Sequence, residues 1–474
     1  MGNERWQVHV LSFEGPDAYA HAGGIASRVA GLTAALSDAG CDTHLWFVGD
    51  PYLAGEERAQ GVVLHRWGQW ISRYHPGGVY DGEEGKRHDY VSSLPPYLVE
   101  RLILPHLAKS ENRVAILAEE WQTADAVPHL DWLLKRAGVR DRVAMFWNAN
   151  NTFGFDRVDW RRLAQASTLT TVSRYMRQRM WSQGVDAVVI PNGIPGDVFQ
   201  RPAAADVRRF RKVTGRRPVL SKVARWDPDK RWLLAVDTVA EMKRQGRHPL
   251  FIARGGMEAH GGEVLERARR AGLRMVERPL SSPGAQGLLE AVRDSAAVDM
   301  LILTSRLDRD ASQLLFAASS AVLANSGHEP FGLVGLEAMA AGGVACVGGT
   351  GEDYAVPGWN ALVLQSTDPR EFVSVFGRLT THRDEERALR RNAIVTAKRF
   401  AWPEIVRRVL LPRLAANVSP IEAMLAAPRA VEPVAANAMP LPAPAMERER
   451  AEAARPRGTA RTRRLRLVDT GASA

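Results

Sequence analysis

The chain has 474 residues, of which 45% are hydrophobic and 24% charged, and its formal net charge is +10. Its length is too great for one ordinary hydrophobic core, so two domains are expected, and its composition is typical of a soluble globular protein. Two widely separated cysteines, Cys41 and Cys346, exclude a disulfide framework or a cysteine-rich metal cluster, and no apolar run approaches the roughly 18 residues of a membrane span.

The start of the chain enters a strand-like run, residues 8–13, almost at once. It lacks the apolar segment of a signal peptide, so a cytoplasmic protein is expected. A glycine-bearing loop at 15–24 leads into a helix predicted over residues 25–39. Further strand-like runs lie at 43–48, 62–66, 114–118, 143–147, 169–173 and 187–190. Because these runs alternate with helical patterns, residues 1–195 are predicted to form a parallel sheet covered by helices.

The alternation restarts after Pro191-Asn-Gly193 and a basic segment. Strands are predicted at 218–224, 249–253, 275–277, 298–304, 321–326, 344–347 and 361–364. Residues 196–400 are therefore expected to form a second doubly wound domain, with a cleft between the two. Ligands of such sheets bind beyond the carboxyl ends of the strands. A last helix, at 401–416, is expected to cross back to the first domain.

The composition beyond residue 416 shifts to alanine, proline and arginine. Such a composition cannot bury a core, so residues 417–474 are predicted to be disordered. The arginine-rich end, 455–466, is compatible with contacts to nucleic acid, a membrane or an anionic polymer. A solvated tail is the interpretation we favour, and no nucleic-acid partner is expected.

Two cations follow the first predicted strand of the second domain. Arg225 and Lys230 lie five residues apart, at a strand end that opens a helix. Arginine binds phosphate through two parallel N–H groups and lysine acts as a point charge, so the pair suits a diphosphate. Such cations also stabilise the charge that develops on a departing nucleoside diphosphate. Taken alone, the pair is equally compatible with salt bridges to Asp227 and Asp229.

The segment Glu329-Pro-Phe-Gly-Leu-Val-Gly-Leu-Glu337 is the most informative in the chain. A helix predicted over residues 332–341 would aim unpaired backbone N–H groups at an anion. Eight helical residues span about 12 Å, close to the reach from a sugar across a diphosphate to a ribose. One carboxylate is therefore a candidate for holding the sugar and the other for the ribose. As an isolated pair, a helix-capping Glu329 and a solvated Glu337 are also compatible.

With these motifs in this order, the chain resembles the retaining, family 4 type of GT-B glycosyltransferase, a group similar to bacterial glycogen and starch synthases. The resemblance covers about residues 6–415. It is carried by His21-Ala-Gly-Gly-Ile25, Glu120-Trp-Gln-Thr-Ala124, Trp147-Asn-Ala-Asn150, Pro191-Asn-Gly193, Arg225 with Lys230, Glu329-Pro-Phe-Gly-Leu333 with Glu337, and Gly348-Gly-Thr-Gly351. It implies an α/β GT-B fold, with two Rossmann-like domains facing across a cleft and a C-terminal crossover helix.

The resemblance also implies roles for single residues. Arg225 and Lys230 would hold the donor diphosphate, Glu329 would approach the transferred sugar, and Glu337 would bind the ribose. Further contacts to sugar and phosphate would come from the backbone N–H groups of Phe331, Gly332 and Leu333. From the first domain, Gly23 and Gly24 would close over the donor, because only glycine lets the backbone come so near.

The family implies transfer with retention of configuration, without a tightly bound metal and with no cofactor. The substrates would be a nucleotide-sugar, with glucose as the leading sugar, and a hydroxyl acceptor such as a glucan, a small sugar or a metabolite. Asp308 and Asp310 have the spacing of a metal-binding pair. Because they lie among Arg306 and Arg309, we predict a salt-bridged helix start instead.

The chain departs from the family pattern at two places. His21 stands where glycogen synthases carry a lysine, and Trp147 stands at the His of a His-Asn pattern, followed by Asn148. His21, Trp147 and Asn148 are candidates for sugar or acceptor contacts, although Trp147 is equally compatible with the core. The polar, glycine-bearing insertion at 74–90 is predicted to be an ordinary surface loop or part of the acceptor site.

Two other functions share this architecture. A nucleotide-sugar 2-epimerase is disfavoured, because the glycine loop, the Arg225–Lys230 pair and the two glutamates resemble the transferase set. A non-catalytic sugar- or polymer-binding protein with a decayed site is supported by His21 and Trp147.

Overall fold

The computed structural model describes residues 6–215, 217–295 and 297–418. These residues contain two doubly wound α/β sheets, so the predicted fold class is confirmed. The predicted disordered tail falls on residues 417–474, of which 419–474 lie outside the described part of the chain.

The first sheet has eight strands in the order β3-β4-β2-β1-β5-β6-β7-β8. They are β1 Trp6–Leu11, β2 Asp42–Val48, β3 Glu56–Ala59, β4 Val62–Trp67, β5 Arg113–Glu119, β6 Val143–Ala149, β7 Thr168–Thr171 and β8 Val188–Val189. All pairings are parallel except that of β3 with β4. Only β3 overlaps no predicted run, because this short edge strand, Glu-Glu-Arg-Ala, carries no apolar signal.

The second sheet has seven strands in the order β11-β12-β10-β9-β13-β14-β15, and all its pairings are parallel. They are β9 Val219–Val223, β10 Leu250–Arg254, β11 Met275–Arg278, β12 Met300–Leu303, β13 Ala321–Leu323, β14 Ala345–Val347 and β15 Leu362–Val363. The strand order reverses between β1 and β5 in the first sheet and between β9 and β13 in the second. Ligands bind at such reversal points in doubly wound folds.

Helices cover both faces of each sheet. They are α1 Gly24–Asp38, α2 Gln69–Ser72, α3 Glu83–Leu98, α4 Leu104–Leu107, α5 Ala126–Arg136, α6 Trp160–Ala166, α7 Arg174–Trp181, α8 Ala204–Thr214, α9 Trp232–Arg244, α10 His260–Arg270, α11 Gly284–Arg293, α12 Arg309–Ala318, α13 Leu333–Ala340, α14 Pro369–Thr381, α15 Arg383–Lys398, α16 Trp402–Ile405 and α17 Leu411–Val418. Within the described ranges, none is both long and apolar enough to cross a membrane.

The central strands of both sheets have two buried faces. In β5, Val114 and Ile116 face one apolar cluster while Ala115 and Leu117 face another. Strands buried on both sides are continuous apolar runs rather than alternating ones. Continuous apolar runs are easily recognised, which explains why these strands could be predicted from the sequence.

The chain passes between the domains twice, and the two passages are hydrogen-bonded to each other. The N–H of Ile194 donates to the Phe400 carbonyl at 2.8 Å, and the N–H of Trp402 donates to the Ile194 carbonyl at 3.1 Å. The two connections therefore lie side by side at the base of the cleft.

The C-terminal crossover helix packs on the first domain. It runs from α16 through a π-helical segment, Val406–Leu410, into α17. Trp402, Leu410 and Leu414 are buried in the same apolar cluster as Val10 of β1. The crossover helix thus completes a core to which β1 also belongs.

The insertion at residues 74–90 is not the continuous loop that its composition suggests. Helix α3 begins at Glu83, with Glu83 and Glu84 in its first turn, where carboxylates favour the helix dipole. Lys86 on this helix is fully buried, and its Nζ donates to the Tyr19 hydroxyl at 2.6 Å and the Gly78 carbonyl at 2.8 Å. The surface-loop prediction is therefore wrong for residues 83–90. They belong to helix α3, and one of their polar side chains, that of Lys86, is buried.

Candidate active site

A cavity of about 380 Å³ lies in the cleft at the carboxyl ends of both sheets. The first domain contributes Glu14, Gly24 and Ile25 from the loop after β1, and Asn150 and Asn151 from the end of β6. The second domain and the passage to it contribute Asn192, Lys222, Val223, Ala224, Arg225, Lys230, Leu323, Ala324, Ser326 and residues 329–335. Most predicted donor-binding residues therefore converge on one space.

The two predicted cations occupy different environments in this cavity. The Arg225 side chain is 70% exposed and lies 3.7 Å from the carboxylate of Asp227. The Nζ of Lys230 donates to Oε2 of Glu329 at 2.8 Å. The same oxygen accepts the Ser326 hydroxyl at 2.8 Å. Glu329 is thus fixed by a cation and a hydroxyl at the cavity wall, and it does not cap the helix.

Helix α13 points its N-terminus into the cavity. Gly332 precedes it in the left-handed region, with φ 84°. A Cβ there would lie 2.7 Å from Cγ of Glu352 and 3.0 Å from the Tyr354 hydroxyl, so glycine is required. No side chain of the described chain caps this helix, and its first turn holds no acid. Its first N–H groups therefore lack partners, as at anion-binding helix termini.

Glu337, the predicted ribose ligand, lies further along α13 and does not line this cavity. It is half-buried. Burial raises the pKa of its carboxyl to about 7, while nearby Arg309 opposes and Asp197 adds to that rise. Near neutral pH this group is therefore divided between its protonated and ionised forms.

The glycine loop of the first domain is arranged around a carboxylate that sequence inspection missed. Oε2 of Glu14 accepts the N–H groups of Gly23 at 2.9 Å and Ala26 at 3.1 Å. Oε1 of Glu14 accepts the Tyr80 hydroxyl at 2.6 Å. Burial and the Glu14 charge raise the pKa of Tyr80. Glu14 lies three residues beyond the end of β1, and an acid just past a strand end was the available signal.

Nothing inside the protein requires glycine at positions 23 and 24. A Cβ at either would meet no atom within 4 Å. Gly23 has φ −168°, an extended conformation open to any residue. The space beside these two positions is thus left free.

A group of buried carboxyl and amide side chains lies next to the residues that the first domain contributes to the cavity. Oε2 of Glu119 accepts hydrogen bonds from Arg28 at 3.0 Å, Asn148 at 2.9 Å and Asn150 at 2.8 Å. Burial raises the pKa of neighbouring Glu120 to about 8. Asn148, a candidate sugar contact, is therefore committed to holding Glu119 and does not line the cavity.

Glu120 also adopts an unusual backbone conformation. Its φ is 67°, a left-handed value that costs energy for a residue with a side chain. Its carboxylate accepts the backbone N–H of Asn150 at 2.6 Å and the amide of Asn151 at 3.2 Å. The strained turn thus positions the two asparagines that reach the cavity.

Of the two departures from the family pattern, neither lies in the cavity lining. Trp147 is 0% exposed, donates its indole N–H to the Glu120 carbonyl at 3.0 Å and packs edge-on against Trp160. No face of this ring is open to a sugar, so its place is the core. His21 is exposed at the start of the glycine loop.

The structure assigns Asp308 and Asp310 to a helix start. The Asp308 side chain accepts the N–H of Ala311 at 2.9 Å and caps α12, and Arg309 pairs with Asp197. The predicted helix start is confirmed, but among the described residues no salt bridge joins either aspartate to Arg306 or Arg309. Among the described residues, no group of three or more His, Cys, Asp or Glu side chains is placed to hold a metal ion.

A second cavity, of about 690 Å³, adjoins the first. Asn151 and Pro330 line both. The second cavity is also lined by Phe153, whose ring is 72% exposed, and by Tyr175 of α7. This space could not be predicted from the sequence, because its lining residues come from both domains.

No protein-family model and no curated protein matches the chain. Solved structures do match across most of its length. Sucrose-phosphate synthase from Thermosynechococcus elongatus is 18% identical with a TM-score of 0.60, over 88% of this chain and 100% of that one. The catalytic domain of starch synthase IV from Arabidopsis thaliana, bound to ADP and acarbose, is 15% identical with a TM-score of 0.58, over 85% and 100%.

A third similar structure is α,α-trehalose 6-phosphate synthase from Burkholderia multivorans, with 14% identity and a TM-score of 0.56 over 89% of this chain and 98% of that one. At such identities the likeness is one of fold. The chain has the GT-B architecture, two Rossmann-like domains facing across a cleft.

Proposed function

We propose that this chain is a retaining glycosyltransferase of the family 4 type, which moves a hexose from a nucleoside-diphosphate sugar to a hydroxyl acceptor. Glucose is the sugar we favour. The observation that carries the proposal is the convergence of Arg225, Lys230, Glu329 and the open N-terminus of α13 on one cavity. The likeness in fold to a starch synthase bound to ADP and acarbose supports a nucleotide site there.

In this proposal the diphosphate lies between the two cations and the first turn of α13. Charge-assisted hydrogen bonds from Arg225 and Lys230 and the dipole of the helix all favour an anion at this point. The ribose extends along α13 toward Glu337. Because this carboxyl is half-protonated near pH 7, it can both accept and donate hydrogen bonds to ribose hydroxyls.

Glu329 would hold the transferred sugar. Its Oε2 is already bonded to Lys230 and Ser326, which fixes the carboxylate for hydrogen bonds to sugar hydroxyls. The bond between the anomeric carbon and the diphosphate oxygen breaks, and the oxygen keeps the electron pair. Arg225, Lys230 and the α13 N–H groups stabilise that charge. The acceptor oxygen then bonds to the same face of the sugar and passes its proton to the departing phosphate oxygen.

The acceptor would occupy the second cavity. Since Asn151 and Pro330 line both spaces, an acceptor hydroxyl there would lie beside the sugar of the donor. The exposed ring of Phe153 offers an apolar surface for a sugar face. This arrangement would leave the first domain to bind the acceptor and the second to bind the donor.

A thermal-shift panel of ADP, UDP, GDP and their glucose and mannose conjugates tests the proposal first. A ligand at one hundred times its Kd stabilises a protein by about 2.7 kcal/mol, so one nucleotide series is expected to raise the unfolding midpoint. Arg225→Ala should lose that shift, whereas the exposed Arg244→Ala on α9 should keep it. No shift at millimolar ligand would favour the decayed-site alternative.

Incubation with the selected nucleotide-sugar and an acceptor panel then distinguishes the enzymatic classes. Released diphosphate together with a glycosylated product of unchanged anomeric configuration is expected. An epimerised nucleotide-sugar would identify an epimerase, and inversion of configuration would contradict the retaining mechanism.

A further inference from the structure

We propose that Lys222 is a third cation of the donor site, and that it takes up a proton when the diphosphate of a nucleotide-sugar binds. The inference rests on the proposed function, because it concerns the same cavity. It adds a residue that the sequence motifs do not contain.

Lys222 lies at the point where the strand order of the second sheet reverses. It belongs to β9, which neighbours β13, and it is one of the residues that line the cavity although it is only 2% exposed. Its Nζ donates to the carbonyl of Leu323 at 2.8 Å and lies 3.5 Å from the carbonyl of Asn325. The ammonium group is thus anchored at the carboxyl ends of the two central strands.

The charge of Lys222 lacks a paired counter-ion. Both acceptors are neutral carbonyls, and in the described part of the chain no carboxylate lies within salt-bridge distance. Glu329, whose negative charge favours the ammonium form of Lys222, is itself bonded to Lys230. A buried cation without a carboxylate partner is costly unless it loses its proton or an anion arrives.

The charged and titratable groups around Lys222 do not supply the missing counter-ion. Lys230 and Arg231, from the segment that precedes α9, disfavour a further positive charge, and Glu329 favours one. The Cys346 thiol of β14 is neutral at physiological pH, because burial raises its pKa to about 12.

The indole of Trp232 on α9 lies under the ammonium at 5.5 Å. Burial is the main cause that lowers the pKa of Lys222 to about 7. Above that pH the free protein holds the lysine largely uncharged.

A bound diphosphate would change this balance. Two negative phosphates near the cavity wall favour the ammonium form and raise the pKa of Lys222, so binding draws a proton from solution. By linkage, affinity must then fall as pH rises above the pKa of the free protein, by up to about tenfold per pH unit. Below that pH the lysine is charged in both states and affinity should be flat.

Calorimetry in buffers of different ionisation enthalpy measures the protons taken up on binding. The ligand should be the nucleotide-sugar rather than the free diphosphate, because a terminal phosphate itself titrates near pH 6. At pH 8 the wild type should take up most of one proton, and at pH 6 almost none. Glu337 and Glu352 also have a pKa near 7, so the wild-type result is compared with variants.

Lys222→Met should abolish the uptake and flatten the pH dependence of affinity. Lys222→Gln provides a second neutral replacement if the first does not fold. Lys86→Met is the matched control, because Lys86 is also buried, with a pKa lowered to about 8, yet lies outside this cavity. Lys86→Met should keep the uptake.

The outcomes separate the two proposals. If no nucleotide-sugar binds the wild type, the proposed function fails. If one binds without proton uptake, or if the uptake persists in a folded Lys222 variant, the donor site stands and the role of Lys222 is overturned.

Discussion

The two walls of the cleft are built on one plan and differ in what occupies the helix N-terminus. On each wall a central strand runs through a glycine-bearing loop into a helix, β1 into α1 and β13 into α13. At α1 Glu14 accepts the N–H groups of Gly23 and Ala26. At α13 the first N–H groups are open, with Arg225 and Lys230 nearby.

The contrast shows that the fold alone does not make an anion site. The same helix terminus can bind a phosphate or an internal carboxylate, and the side chain placed there decides which. The wall with the open terminus and the cations is suited to a diphosphate. The wall with Glu14 lines the cavity with the carboxylate of Glu14 and the amides of Asn150 and Asn151.

Removing a cation from the second wall should have the largest effect. Lys230→Ala is expected to lower kcat by about 100-fold or more, the usual cost of one donor to a developing oxyanion. The fold should survive, because the lysine side chain lies at the cavity surface. Steady-state kinetics with the nucleotide-sugar found by the panel measures the change, and turnover near the wild-type value would contradict the diphosphate assignment.

Removing the carboxylate at the N-terminus of α1 should lower the free energy of unfolding. Glu14→Ala leaves the N–H groups of Gly23 and Ala26 and the Tyr80 hydroxyl without their acceptor. The expected loss in free energy of unfolding is about 1–2 kcal/mol, measured by urea denaturation. Tyr80→Phe removes only one of these bonds and should cost less. Equal losses in the two variants would show that Glu14 does not cap α1.

A methyl group in the glycine loop tests whether this wall approaches the donor. Gly24→Ala meets nothing inside the protein, so the unfolding midpoint should hold while nucleotide-sugar affinity falls about tenfold, or 1.4 kcal/mol. Gly332→Ala is the contrasting variant, since its Cβ collides and its φ is positive, and it should destabilise the fold. Unchanged affinity in Gly24→Ala would mean that the loop does not contact the donor.

Replacing His21 by the lysine that glycogen synthases carry should have the smallest effect on nucleotide-sugar affinity. His21 is exposed and does not line the cavity, so His21→Lys is expected to change nucleotide-sugar affinity by less than about threefold, which is about 0.6 kcal/mol. Calorimetric titration of the variant against the wild type measures it. A large gain would show that His21 reaches the donor when the cleft closes.

The strands could be predicted from the sequence because the central strands are apolar on both faces. The prediction failed for elements that are polar in sequence. Strand β3 is charged, and the start of α3 lies in a polar stretch. At the site, motifs identified Arg225, Lys230 and Glu329, because each belongs to a short local sequence pattern. Glu14 and Lys222 could not be assigned, because their roles depend on burial and on partners far away in the chain. A lysine inside an apolar strand run was the one available clue to Lys222.

The side-by-side passages at Ile194 and Trp402 have a consequence for how the chain folds during synthesis. The second domain is an insertion within the first, since the crossover helix that covers β1 is made after it. The emerging first domain must therefore leave the apolar face around Val10 uncovered until residues beyond 402 leave the ribosome. The inserted domain has adjacent ends and can close on its own in the meantime. Assembly should thus proceed from the second domain to the first, opposite to the order of translation.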